Sequence, residues 1–130
     1  VISGQRLGAD VKTILVVDDN TLIAEMLRQL LDGDYLVQTA PNGKVGVDWA
    51  KRHRPDLILM DLTMPVMDGF TATMHLRSDP STKGIPIIVL SARGDAEDIE
   101  RALKVGADTH LRKPVEEERL FSEIARLLAR

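Results

Sequence analysis

Five side chains with chemical potential stand at the ends of short apolar runs. Asp18 and Asp19 follow Ile14-Leu15-Val16-Val17, and Asp61 follows Leu57-Ile58-Leu59-Met60. Ser91 follows Ile87-Ile88-Val89-Leu90, and Lys113 follows Leu111-Arg112. If the runs are parallel strands, their carboxyl ends gather on one edge of a sheet, where open α/β folds bind ligands. Three carboxylates brought together there repel one another unless one is protonated or a cation binds. A hard divalent ion suits an all-oxygen site. Mg²⁺ takes one or two carboxylates, keeps waters, and leaves positions for phosphoryl oxygens. Singly, each residue has a plainer reading. Asp19 could cap a helix, Ser91 could make a turn, and Lys113 could sit in solvent. Their joint placement argues for a site. Lys113-Pro114 could hold a cis bond, but the sequence alone gives no ground for assigning one.

The elements that would position these residues alternate regularly. Strands are expected at Thr13–Val17, Tyr35–Ala40, Asp56–Met60, Ile85–Leu90 and Asp108–Arg112. Helical spacing marks Thr21–Leu31, Lys44–Arg52, Phe70–Ser78, Ala96–Val105 and Val115–Ala129. Asp19 or Asn20 can cap the first helix. Its inward face is read as Leu22, Ile23, Met26, Leu27, Leu30 and Leu31. Trp49 is expected to face inward from the second helix, and Phe70, Thr73, Met74 and Arg77 to share a face of the third. Ile99, Ala102 and Leu103 are expected to face inward from the fourth, which Gly106 ends. Leu120, Ile124, Leu127 and Leu128 form the stripe of the fifth. Pro41-Asn42-Gly43 is a turn, Pro55 stops the second helix, and Asp68-Gly69 opens the third. Near-continuous apolar strands imply a parallel sheet covered on both faces. Short right-handed connections then favour a doubly wound α/β sheet of five strands and five helices.

The composition restricts the function classes. The 130 residues suit a single core, and a net charge of −3 gives no pull toward nucleic acid or acidic membranes. With no cysteine, disulfides and thiolate metal sites are excluded. No apolar run approaches the roughly 20 residues that span a bilayer, and the start lacks a signal-peptide pattern. A cytoplasmic location is expected. Residues 1–11 read as a tail or linker remnant, and residues 12–130 as the folded domain.

The set Asp18-Asp19-Asn20, Asp61 with Met64-Pro65-Val66-Met67-Asp68-Gly69, Ser91-Ala92 and Lys113-Pro114 resembles the signature of two-component response-regulator receiver domains. Order, strand context and spacing all match, from about Lys12 to Arg130. The resemblance implies a flavodoxin-like strand order of 2-1-3-4-5. It implies that Asp61 is the phosphoacceptor, taking a phosphoryl group from a phosphohistidine of a histidine kinase or histidine phosphotransfer protein. Asp19 would bind Mg²⁺ directly, Asp18 through water or by orienting the shell, with Asp61 and the Thr63 backbone carbonyl as further ligands. Lys113 would pair with Asp61 and the phosphoryl group. Ser91 would be the switch hydroxyl, drawing Ala92 and the loop after it toward the new oxygens. The partner surface would be the last helix with the strand and helix before it, and a homodimer would use the same face. A downstream protein or effector domain would read the output.

Three positions tune or depart from the pattern. Thr63 and Arg93 stand where the family shapes water access to the acyl phosphate, so Arg93→Ala is expected to change its lifetime. His110 stands where the family usually has Tyr or Phe, which puts the aromatic coupling in doubt. A histidine there could also make signalling sensitive to pH.

Other classes fit less well. A phosphotransferase or phosphatase enzyme would want a second carboxylate two residues after Asp61, where Thr63 stands, and a cap domain that 130 residues do not accommodate. A nucleotide binder would want a glycine-rich turn after the first strand, where Asp18-Asp19-Asn20-Thr21 stands. A receiver that no longer accepts phosphate would be expected to lack some of the key residues. The reading is therefore a phosphorylation switch and not an enzyme, with at most intrinsic dephosphorylation.

Overall fold

The computed structural model describes residues 11–92 and 96–130. Arg93 and nearly all of the 1–11 segment lie outside the described residues, and with them the readings made there. Five strands, β1 (Thr13–Val17), β2 (Leu36–Ala40), β3 (Leu57–Asp61), β4 (Ile87–Ser91) and β5 (Thr109–Arg112), alternate with five helices. The helices are α1 (Thr21–Leu31), α2 (Gly43–His53), α3 (Gly69–Ser78), α4 (Ala96–Lys104) and α5 (Glu117–Leu128). The sheet runs β2-β1-β3-β4-β5 with every pair parallel. The expected order is thus observed, with element ends within two residues of expectation.

Burial follows from position in the sheet. Central β3 and β4 are buried at every residue, and β1 at all but Thr13, whereas edge strands β2 and β5 are buried only in part. Alternation along the strands divides the core in two. Leu15, Val17, Ile58, Met60, Ile87 and Val89 face α2, α3 and α4. Ile14, Val16, Leu57, Leu59, Ile88 and Leu90 face α1 and α5. Trp49 packs partly buried against the first of these layers.

The ends of the helices follow local chemistry. The Asn20 side chain accepts from the Leu22 and Ile23 amides, and Asp68 accepts from the Thr71 amide. Before Pro55, Arg54 closes α2 in the left-handed region, and Gly106 follows α4 at φ +120°.

Three inward assignments fail, those of Leu22 and Met26 on α1 and of Leu103 on α4. On α1, Leu22 is 76% exposed and Met26 69% exposed, and the buried residues are Ala24, Leu27 and Leu31. At roughly 100° per residue, Leu22 and Met26 lie about 180° and 140° around the helix from Leu31. The apolar stripe is wider than the arc that the sheet covers. Met74 and Leu103 are likewise exposed at the margins of α3 and α4.

Candidate functional site

Register brings the aspartates together. Val17 pairs with Met60 and Ala40, so one step further Asp18 leaves β1 beside Asp61, the last residue of β3. On the other side Asp61 pairs with Leu90, which places Ser91 one residue beyond. Ser91 pairs with Arg112, and its carbonyl accepts from the Lys113 amide at 2.8 Å. Five residues spread over 95 positions of sequence therefore converge because neighbouring parallel strands end at the same edge.

Within this edge the Lys113 ammonium donates to Asp18 Oδ2 and to Asp61 Oδ1, each at 3.0 Å. Asp18 and Asp61 are buried, and Asp18 Oδ1 accepts from the Asn20 amide at 2.9 Å. Asp19 is exposed. One oxygen from each of Asp18, Asp19 and Asp61 lies within 4.8 Å of the others, a set able to surround a cation. All ligands are oxygen, the donor type that hard divalent ions take.

The electrostatics mark the cluster as short of positive charge. Burial raises the pKa of the Asp61 carboxyl, and the Asp18 and Asp19 charges add to this against the pull of Lys113. Burial works against a charged Lys113, but hydrogen bonds and attraction from Asp18 and Asp61 outweigh it and raise its pKa. One ammonium holds two carboxylates and still leaves Asp61 harder to ionise than usual.

The remaining expected residues fall around this centre. The peptide bond between Lys113 and Pro114 is cis. Thr63 is exposed in the loop after β3, and Ala92 is exposed after β4. Ser91 is buried, and its Oγ lies 2.9 Å from His110 Nε2. His110 is half-buried on β5, and burial with the nearby Arg119 and Arg112 charges lowers its pKa. It is thus no simple surface histidine. Gly69 supports β3 from below: a Cβ there would collide with the Asp61 carbonyl oxygen and lie 2.8 Å from Leu62 Cα. Only glycine lets α3 begin this close to the end of β3.

One feature went unread in the sequence. A groove of about 590 Å³ opens beside Lys113, lined by Ile23, Met26, Leu27, Leu30, Pro114 and Val115 among others. Its signal was the excess width of the apolar stripe on α1. Among the described residues, no helix is long and apolar enough to cross a membrane.

Comparison with known proteins places this geometry. The family model for the response regulator receiver domain matches residues 14–125. Response regulator PleD of Caulobacter vibrioides is 38% identical over 115 residues, 88% of this chain and 25% of PleD. The chain thus spans about a quarter of that relative's length. A putative response regulator from Chloroflexus aurantiacus has TM-score 0.89 and 35% identity, covering 92% of this chain and 99% of that one. The receiver domain of a sensor histidine kinase from Pseudomonas aeruginosa PAO1 was solved with a magnesium ion coordinated in its active site cleft. It has TM-score 0.86 and 32% identity, covering 92% of this chain and 99% of that one. Strand order, the convergence of carboxylates on one sheet edge and the match over most of the chain agree: this chain belongs to the response regulator receiver domain family, whose members are phospho-accepting signalling switches.

Proposed function

We propose that Asp61 accepts a phosphoryl group from a phosphohistidine of a sensor kinase or phosphotransfer protein, and that residues 12–130 act as the receiver unit. The observation that carries this is the Asp61 carboxylate, buried at the end of β3 and bonded to Lys113 at 3.0 Å. An oxygen of Asp61 forms the new O–P bond as the N–P bond of the donor breaks. Phosphoryl transfer of this kind needs positioning and neutralisation more than covalent help. Lys113 supplies one fixed charge to the incoming oxygens. Asp18, Asp19, Asp61 and the Thr63 carbonyl would hold a magnesium ion, which supplies the rest of the positive charge when bound. The magnesium ion in the Pseudomonas receiver structure supports this assignment.

The donor approaches over the groove between α1 and the segment after β5, where exposed Met26 and half-buried Ile23 offer apolar contact next to Lys113. The output side is β4–α4–β5–α5. There α4 has a single buried residue, Ala102, against three on α5, so it is the helix most easily displaced. Ser91 moving toward a phosphoryl oxygen would drag Ala92 and bias α4 between two positions. A downstream partner, or a second copy, would read that face. Turnover is limited to hydrolysis of the acyl phosphate.

Incubation with acetyl phosphate and Mg²⁺ followed by intact-mass measurement tests the reading. The wild type should gain the mass of one phosphoryl group, and Asp61→Asn should gain nothing. No gain in the wild type would overturn it.

A further inference from the structure

The contact between Ser91 Oγ and His110 Nε2 at 2.9 Å joins the carboxyl edge to a second, outward-facing feature. His110 also lines a cleft of about 240 Å³ together with Arg112, Pro114, Glu116 and Arg119. One imidazole therefore touches the buried hydroxyl on one side and a charged, solvent-reached cleft on the other. The phosphoacceptor reading gives Ser91 a part but assigns none to the proton on His110.

The chemistry of the contact depends on where the proton sits. If Nε2 is bare, it accepts the Ser91 hydroxyl hydrogen, and that hydrogen cannot be given elsewhere. If Nε2 carries a hydrogen, it donates to Oγ, and the Ser91 hydrogen is released for another acceptor. A phosphoryl oxygen on Asp61 would be such an acceptor, since Ser91 stands one residue beyond Leu90, the partner of Asp61 across the sheet. The phosphorylated state therefore favours a protonated Nε2, and its added negative charge favours the imidazolium.

We infer that protonation of His110 and phosphorylation of Asp61 are linked through the Ser91 hydroxyl. The inference rests on Asp61 being the phosphoacceptor. Linkage is reciprocal: if phosphorylation raises the affinity of His110 for a proton, acid favours the phosphorylated form to the same degree. The charged groups around the ring set the starting point. Arg112 on β5 and Arg119 on α5 disfavour the imidazolium, and Glu116 before α5 lines the same cleft. On α4, which also packs on β5, Glu97 and Asp98 lie in the first turn, and Arg101 lies over the Phe70 ring. In the unphosphorylated protein burial and the two arginines lower the His110 pKa, so the ring is neutral at pH 7.

The test follows the imidazole signals of the full chain by NMR from pH 5 to 8, with Mg²⁺, in the presence and absence of beryllofluoride as a phosphoryl mimic. The protein has three histidines, and His53 and His75, both exposed, serve as internal references. Beryllofluoride should raise the His110 midpoint and leave the other two in place. Its affinity should rise about five-fold or more from pH 8 to pH 5.5, beyond whatever slope remains in His110→Phe. If beryllofluoride moves the Asp61 and Lys113 amide signals while the His110 midpoint stays fixed, the linkage is overturned and the acceptor reading survives. If those amide signals do not move, both fall. A wild-type pH slope equal to that of His110→Phe also overturns the linkage, and the wild-type NMR titration decides the matter even if the variant folds poorly.

Discussion

The two edges of the sheet both carry buried or half-buried aspartates, and they treat them in opposite ways. At the amino edge, Asp56 precedes β3 and Asp108 precedes β5. Asp56 Oδ2 accepts from the Thr13 amide at 2.7 Å, and Asp108 Oδ2 from the Ile87 amide at 2.8 Å. Each also returns its own amide to the same neighbour's carbonyl. Arg77 then closes the edge, donating to the carbonyls of Gly106, Ile85 and Lys83 and to Asp108, while Arg130 takes the other Asp108 oxygen. At the carboxyl edge one lysine holds Asp18 and Asp61, with Asp19 exposed beside them. The contrast is sharpest between Asp108, which accepts from the Ile87 amide, Arg77 and Arg130, and Asp61, which among the described residues accepts from Lys113. Asp108 ties β5 to β4, and Asp61 is left with a charge that a cation could offset.

Breaking each edge should give a different kind of failure. The largest effect is expected from Lys113→Ala, which removes the only ammonium bonded to Asp61 among the described residues. Phosphoryl uptake from acetyl phosphate should slow by about 100-fold or more, measured by the rate of mass gain. A rate within a factor of two of wild type would show that the carboxyl edge is no more charge-dependent than the amino edge. Next, Arg77→Ala strips several carbonyls and Asp108 of a partly buried donor. It should cost about 2–3 kcal/mol, read as a lower urea midpoint, with phosphoryl uptake of the folded protein unchanged. Loss of uptake without loss of stability would erase the distinction between the edges.

The smallest effect sharpens the comparison through pH. Asp61 has a raised pKa in the folded protein, so the native state holds its proton where the unfolded chain, at about 3.9, has released it. Between those two values stability falls as pH rises, and the loss persists above them. Asp61→Asn removes this liability. Without magnesium it should be the more stable protein at pH 7, by about 1 kcal/mol. The advantage should shrink toward pH 3, where Asp61 is protonated in both states, and shrink when magnesium is added. Urea titrations at several pH values would check it. A variant less stable than wild type at pH 7 would mean that Asp61 is as well satisfied as Asp108.

This contrast was only half legible in the sequence. The apolar runs located all five strands, and their ends pointed to Asp18, Asp61, Ser91 and Lys113, because alternation of strand and helix fixes which end of each strand is shared. Asp56 and Asp108 passed as ordinary strand-start residues, since their partners Thr13, Ile87 and Arg77 lie 43, 21 and 31 residues away. The width of the α1 stripe was visible, but not that Leu22 and Met26 would remain uncovered. Periodicity reports which residues are apolar, and the reach of the neighbouring sheet decides which of them are buried. The Ser91–His110 contact joins adjacent strands and depends on a side-chain orientation that no spacing encodes.

Gly69 gives the edge a mechanical sense. Its amide donates to the Leu62 carbonyl at 3.0 Å, with no room for a side chain between α3 and the end of β3. On the same face of the sheet, beyond α3, α4 has Ala102 as its single buried residue. The edge thus has a tightly seated neighbour in α3 and a lightly seated one in α4. Under the proposed function, the Asp61 backbone is pinned against α3, and a response to added bulk would fall to the flank of β4 and α4.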